Sequence, residues 1–193
     1  MARRIMLNLP NFLTLLRIIA IPFFLVLLSF ELYLEALIVF IVSGLTDALD
    51  GAVARMMGQQ TPLGSYLDPL ADKLLVGCSY LMLAFISALP PWLVVLVVSR
   101  DVIILLGYGA VCLLVEERMV IQPSLVGKLN TVFQMVTAGV VLLFLHAPEA
   151  GPSWILDAFF FVTGLTTVIS GVQYLFRGLV WLQNRAPSLR RFS

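Results

Sequence analysis

Cysteine and histidine are nearly absent from this chain of 193 residues, which holds two cysteines, Cys78 and Cys112, and one histidine, His146. That excludes a disulfide framework and a zinc site built from thiolate and imidazole ligands. Both cysteines fall inside apolar runs and read as buried thiols. Charge is scarce as well: charged residues make up 12% of the chain and hydrophobic ones 61%, with a mean hydropathy of +1.03. Little material remains for a large water-soluble domain. No repeat, low-complexity tract or polar linker divides the chain, so residues 1–193 read as a single membrane domain. A cleaved secretory signal is not expected, because Met1–Pro10 is short and the apolar run after it is long and lacks a small-residue cleavage site. With a net charge of +1, no nucleic-acid partner is expected.

Long apolar runs are plentiful. Six of them, near Asn11–Phe30, Tyr33–Met56, Gly64–Ser87, Pro91–Val115, Leu125–His146 and Trp154–Leu182, are each long enough to cross about 30 Å of hydrocarbon as a helix. Lys and Arg are missing from every second connection, around Glu31, Ala88–Pro91 and Ala147–Ser153. Arg3, Arg4, Arg55, Arg118, Lys128, Arg177, Arg185, Arg190 and Arg191 all fall on the opposite side or at its edge. The asymmetry predicts an all-α integral membrane protein with six transmembrane helices and both termini in the cytoplasm. Residues 1–9 read as an interfacial segment and residues 183–193 as a basic cytoplasmic tail touching anionic lipid.

Four aspartates interrupt this apolar background: Asp47, Asp50, Asp68 and Asp72 lie in the string D-x2-D-G-x2-A-R-x8-G-x3-D-x3-D. Carboxylates in such surroundings are costly unless a cation or a polar cavity compensates them. Residues three and four apart share a helix face, so Asp47, Asp50, Gly51 and Ala54 form one stripe and Gly64, Asp68 and Asp72 another. Facing the stripes across a helix pair makes a polar metal cavity at the cytoplasmic side. Hard oxygen donors suit Mg²⁺, Mn²⁺ or Ca²⁺, and four of them can hold two ions, an arrangement suited to displacement at phosphorus. Gly51, Ala54 and Gly64 remove bulk beside the acids. The plainer alternative pairs the acids with Arg55, Lys73 and Arg100 in a structural polar core. It leaves the glycines unexplained.

The string resembles the signature of the CDP-alcohol phosphotransferase family, with every defining position matched. The likeness extends from Leu9-Pro10-Asn11, Thr14 and Arg17 to Gly127-Lys128 and Asn130-Thr131. It implies a six-helix fold, usually homodimeric, that transfers a phosphatidyl group from CDP-diacylglycerol to an alcohol with release of CMP. By position, Asp47, Asp50 and Asp68 would be metal ligands for Mg²⁺ or Mn²⁺. Asp72 would contact a metal and deprotonate the acceptor hydroxyl. Gly51, Ala54 and Gly64 would line the CDP site. Arg55 would help neutralise the diphosphate, while Asn11 and Thr14 would reach the nucleotide or seal the cavity wall. A bacterial inner membrane, with the site facing the cytoplasm, is the expected location.

Two acceptors compete. Relatives using glycerol 3-phosphate resemble this chain but carry Arg-Glu in the fourth span and a second arginine two turns later. Here those positions read Arg100-Asp101 and Tyr108. Arg100, Lys128, Lys73 and Tyr108 are the acceptor-binding candidates, with Lys73 equally readable as a partner of Asp72 or a snorkelling side chain. The loss of one guanidinium favours the singly charged phosphate of phosphatidylglycerol, hence cardiolipin synthesis, with glycerol 3-phosphate as the alternative. Since adjacent residues on a helix cannot share a face and so are not expected to meet, the pair Arg100–Asp101 reads as acceptor-binding in preference to a structural role. A divalent-cation transporter would carry polar residues through both bilayer halves, and the outer halves here are almost purely apolar.

Overall fold

The computed structural model describes the backbone of residues 9–57, 62–114 and 125–189, and the side chains of residues 14–46, 71, 73–107, 125–178 and 180. Six α-helices occupy the described residues: α1 (Leu9–Ser29), α2 (Tyr33–Met57), α3 (Pro62–Phe85), α4 (Pro91–Leu114), α5 (Leu125–His146) and α6 (Trp154–Leu189). Pro62 and Pro91 open their helices at the one position where a missing N–H is no loss. Helices α1 and α3 both end in a left-handed residue, Glu31 and Ser87, each with φ 60°. At the first, Leu32 N–H donates to Leu27 O at 3.0 Å and Glu31 N–H to Leu28 O at 3.1 Å. At the second, Ala88 N–H reaches Leu83 O at 2.8 Å and Ser87 N–H reaches Ala84 O at 2.9 Å. These paired bonds satisfy the last carbonyls and reverse the chain in a few residues.

The helices close a ring in which α1 packs on α2, α2 on α5, α5 on α6, α6 on α4, α4 on α3 and α3 on α1, while α3 also touches α5. At one end the interior is apolar: Phe24, Leu28, Phe40, Tyr80, Leu83, Leu93 and Leu142 are buried together. Phe24 and Phe40 set their rings 5.8 Å apart. Gly164 lets the Trp92 ring lie against α6, since a Cβ there would come within 2.7 Å of it. Towards the other end the buried residues are Thr14, Arg17, Arg100, Asp101, Asn130, Gln134, Thr167 and Ser170. The outside is the reverse, with Ile19, Phe23, Ile38, Val95, Leu106, Val132, Phe161 and Phe176 exposed. Polar residues inside and large apolar ones outside suit lipid rather than water as the solvent.

Among the described residues two stretches, Leu125–His146 and Trp154–Gly178, are long and apolar enough to cross a membrane, and only 33% and 22% of them is buried. Most of each therefore faces outward, which is consistent with a membrane protein. Thr14–Ser29, Tyr33–Thr46 and Lys73–Phe85 are shorter apolar stretches of helices that continue past them.

Candidate active site

The C-terminal part of α2 carries Asp47, Asp50, Gly51, Ala54 and Arg55, and the first half of α3 carries Gly64, Asp68, Asp72 and Lys73. Both stretches are helical throughout, so Asp47 and Asp50 stand about 4.5 Å apart along their axis and Asp68 and Asp72 about 6 Å apart along theirs. Only residues 58–61 separate the two helices. The side chains of the four aspartates, with those of Asn11, Ala54, Arg55 and Tyr108, lie outside the described residues, as do the surroundings of Gly51 and Gly64. No metal-ligating cluster of His, Cys, Asp and Glu occurs among the described residues. Beside this pair, α1 buries Thr14 and Arg17 almost completely, and each is engaged by a neighbour. A buried guanidinium requires that compensation.

The described polar groups on the other helices form two connected systems. In the first, Asp101 on α4 accepts hydrogen bonds at one oxygen from Lys73 Nζ on α3, at 2.8 Å, and from Arg100 Nη1 beside it. Arg100 Nη2 donates to Ser170 Oγ on α6 at 2.7 Å, and its guanidinium lies 5.5 Å from the centre of the Tyr174 ring. The expectation that Arg100 and Asp101 do not meet is corrected here. The long arginine side chain folds back over its neighbour because the next helix offers it Ser170 and Tyr174. Lys73, for its part, has its described ion pair with Asp101. Lys128 is exposed in the first turn of α5.

The second system is a polar seam between α5 and α6. Asn130 Oδ1 accepts from Thr166 Oγ1 at 3.0 Å and from Thr167 Oγ1 at 2.9 Å. Thr137 and Thr163 share a hydrogen bond of 2.7 Å, and Gln134 Nε2 donates to Thr167 Oγ1 at 3.5 Å. Tyr80 on α3 donates from its hydroxyl to the Gln134 carbonyl at 3.1 Å. Sequence reasoning missed Ser170, Tyr174 and this seam. A signal was present: Gly127, Asn130, Gln134 and Thr137, and again Thr163, Thr167, Ser170 and Tyr174, recur at alternating spacings of three and four, the repeat of a helix–helix contact.

Helices α2 and α3 thus carry two aspartates each, and a buried polar cluster and an apolar exterior accompany them. Residues 7–173 match the family model described as CDP-alcohol phosphatidyltransferase, and the chain belongs to that family of transferases. It is 36% identical over 179 residues to a probable phosphatidylglycerophosphate synthase of Mycobacterium tuberculosis, a match covering 89% of this chain and 82% of the relative. It is 31% identical over 184 residues to the CDP-diacylglycerol–glycerol-3-phosphate 3-phosphatidyltransferase of Bacillus subtilis, covering 88% and 94%. A probable CMP-forming cardiolipin synthase of Drosophila melanogaster is 31% identical over 195 residues, covering 90% of this chain and 58% of the relative.

Proposed function

We propose that this chain transfers the phosphatidyl group of CDP-diacylglycerol to glycerol 3-phosphate, releasing CMP and making phosphatidylglycerophosphate. The observation that carries the choice is the activity for which the Mycobacterium and Bacillus relatives are named, with alignments along most of both chains. It reverses the preference for phosphatidylglycerol drawn from Tyr108. Cardiolipin synthesis remains the second reading, favoured by Tyr108 itself and by the Drosophila relative.

The residues support such chemistry in stages. The donor set Asp47, Asp50, Asp68 and Asp72 is all carboxylate, whereas Cys78 stands further along α3 and His146 at the far end of α5. That chemistry fits Mg²⁺ or Mn²⁺, one or two ions, and those four residues would hold them. Bound there, the ions would offset the negative charge of the donor diphosphate. Gly51, Ala54 and Gly64 would leave room for the nucleotide, Arg55 would add positive charge, and Asn11 and Thr14 on α1 would reach the nucleotide or seal the cavity wall. Asp72 takes the proton of the acceptor hydroxyl as its oxygen bonds to the lipid-side phosphorus and the bond to CMP breaks. Lys73 and Arg100 bring two positive charges and Asp101 one negative, a net +1 on the cluster. That net charge would attract a phosphomonoester, with Lys128 and Tyr108 as the further acceptor-side candidates.

Six spans, cytoplasmic termini and a cytoplasmic active site in a bacterial inner membrane complete the proposal. The connections at 30–32, 86–90 and 147–153 lack Lys and Arg, which supports this orientation. The expected homodimer rests on the family resemblance. The test gives purified protein CDP-diacylglycerol and Mg²⁺, with glycerol 3-phosphate and phosphatidylglycerol in parallel, and identifies the lipids by mass spectrometry. Phosphatidylglycerophosphate is the expected product. Cardiolipin from the second acceptor alone would restore the alternative.

A further inference from the structure

Lys73 follows directly on Asp72, the residue read above as the proton acceptor. Adjacent α-carbons lie about 3.8 Å apart, so a lysine free to swing back could lay its ammonium on that carboxylate. The contact of Arg100 with Asp101 demonstrates that neighbours on one helix do meet in this chain. An ammonium there would compete for the same oxygens with a divalent cation and with the acceptor's proton. In the structure Lys73 reaches across to α4, where its Nζ lies 2.8 Å from Asp101 Oδ1. The side chains of the pair are only 21% and 13% exposed, so the attraction is weakly screened. Asp101 in turn is held by Arg100, which Ser170 and Tyr174 anchor to α6.

We propose that Asp101 is a positioning residue for the transfer, holding the Lys73 ammonium on the α4 side, away from the neighbouring Asp72, so that the paired aspartates stay open to a divalent cation and to the acceptor's proton. The inference rests on the reading of those aspartates given above. It adds a division of labour among the acids: one carboxylate, outside the motif, takes the lysine so that the motif carboxylates do not.

The test measures Mn²⁺ affinity of the purified full chain by electron paramagnetic resonance, and kcat for CMP release at saturating CDP-diacylglycerol and glycerol 3-phosphate. Asp101→Asn is expected to weaken Mn²⁺ binding and lower kcat by at least about tenfold each, and adding Lys73→Met should recover at least about fivefold of the Mn²⁺ affinity. Asp101→Glu, which keeps the charge, should stay within about threefold of the native protein. A purely structural role for Asp101 predicts no such recovery, because the second substitution would only loosen the bundle further. Lys73→Met alone gives an arm that does not depend on the Asp101→Asn variant folding. Mn²⁺ affinity within about threefold of native supports the proposal, and tightening beyond about tenfold overturns it by placing the lysine on the aspartates already. Native protein that binds Mn²⁺ and releases CMP while recovery is absent overturns the role of Asp101 alone. Native protein that does neither overturns the reading of the aspartates, and this inference with it.

Discussion

Among the described residues, the two ends of the bundle bury side chains of opposite chemistry. Around Phe24, Phe40, Tyr80, Leu83 and Leu93 the helices meet through apolar side chains, while around Thr14, Arg17, Arg100, Asp101 and Asn130 they meet through hydrogen bonds and charge. In water the first kind of burial would dominate stability. In lipid the surrounding tails are as apolar as the core, so the apolar end gains mainly from close packing. The polar end gains from partners that lipid cannot supply. The comparison therefore assigns rigidity to the apolar end and chemistry to the other.

Substitutions at the two ends should separate these properties. The largest effect on turnover is expected for Asp72→Asn, which should lower kcat about 10²- to 10⁴-fold, with CDP-diacylglycerol binding and thermal midpoint little changed. Retained CMP release would remove Asp72 as the proton acceptor. At the apolar end, Phe24→Ala empties a fully buried site against Phe40 and should cost about 3–5 kcal/mol of stability. A thermal-shift measurement in detergent would register it, while the choice between acceptors stays as it was. A change of acceptor would break the separation. The smallest effect is expected between the ends, where Thr137→Val removes the hydroxyl paired with Thr163. Such bonds in membrane helices contribute about 0.6 kcal/mol, at most about 1.7, so unfolding titration should find a loss in that range.

Much of the fold is legible in the sequence, for identifiable reasons. Tyr33, Pro91, Leu125 and Trp154 are the expected and the observed first residues of their helices, because an apolar run meets a proline or a charge-poor turn there. The third helix begins at Pro62 rather than Gly64, since proline fits a first turn, and ends at Phe85 because Ser87 reverses the chain. Helix α6 runs on to Leu189, past the expected Leu182. Hydropathy marks where lipid would end, but good helix formers such as Gln183, Arg185 and Ala186 continue the hydrogen-bonding pattern. At the site, the motif itself announces the aspartates and the glycines. The Lys73–Asp101 pair was not legible, since its residues are 28 apart in sequence and meet only through the order in which the helices close their ring. Arg100 escaped a rule about backbone direction because its side chain is long enough to ignore it.

The seam between α5 and α6 bears on how the chain is made. Asn130, Gln134 and Thr137 give α5 an amide and hydroxyl face, and Thr163, Thr166 and Thr167 on α6 are the groups that satisfy it. Released alone into a bilayer, α5 would carry that face unmet until its successor arrived. The two helices are therefore expected to leave the insertion machinery as one hairpin folded at residues 147–153, and a nascent chain stopped after His146 should remain crosslinkable to that machinery until α6 has been added.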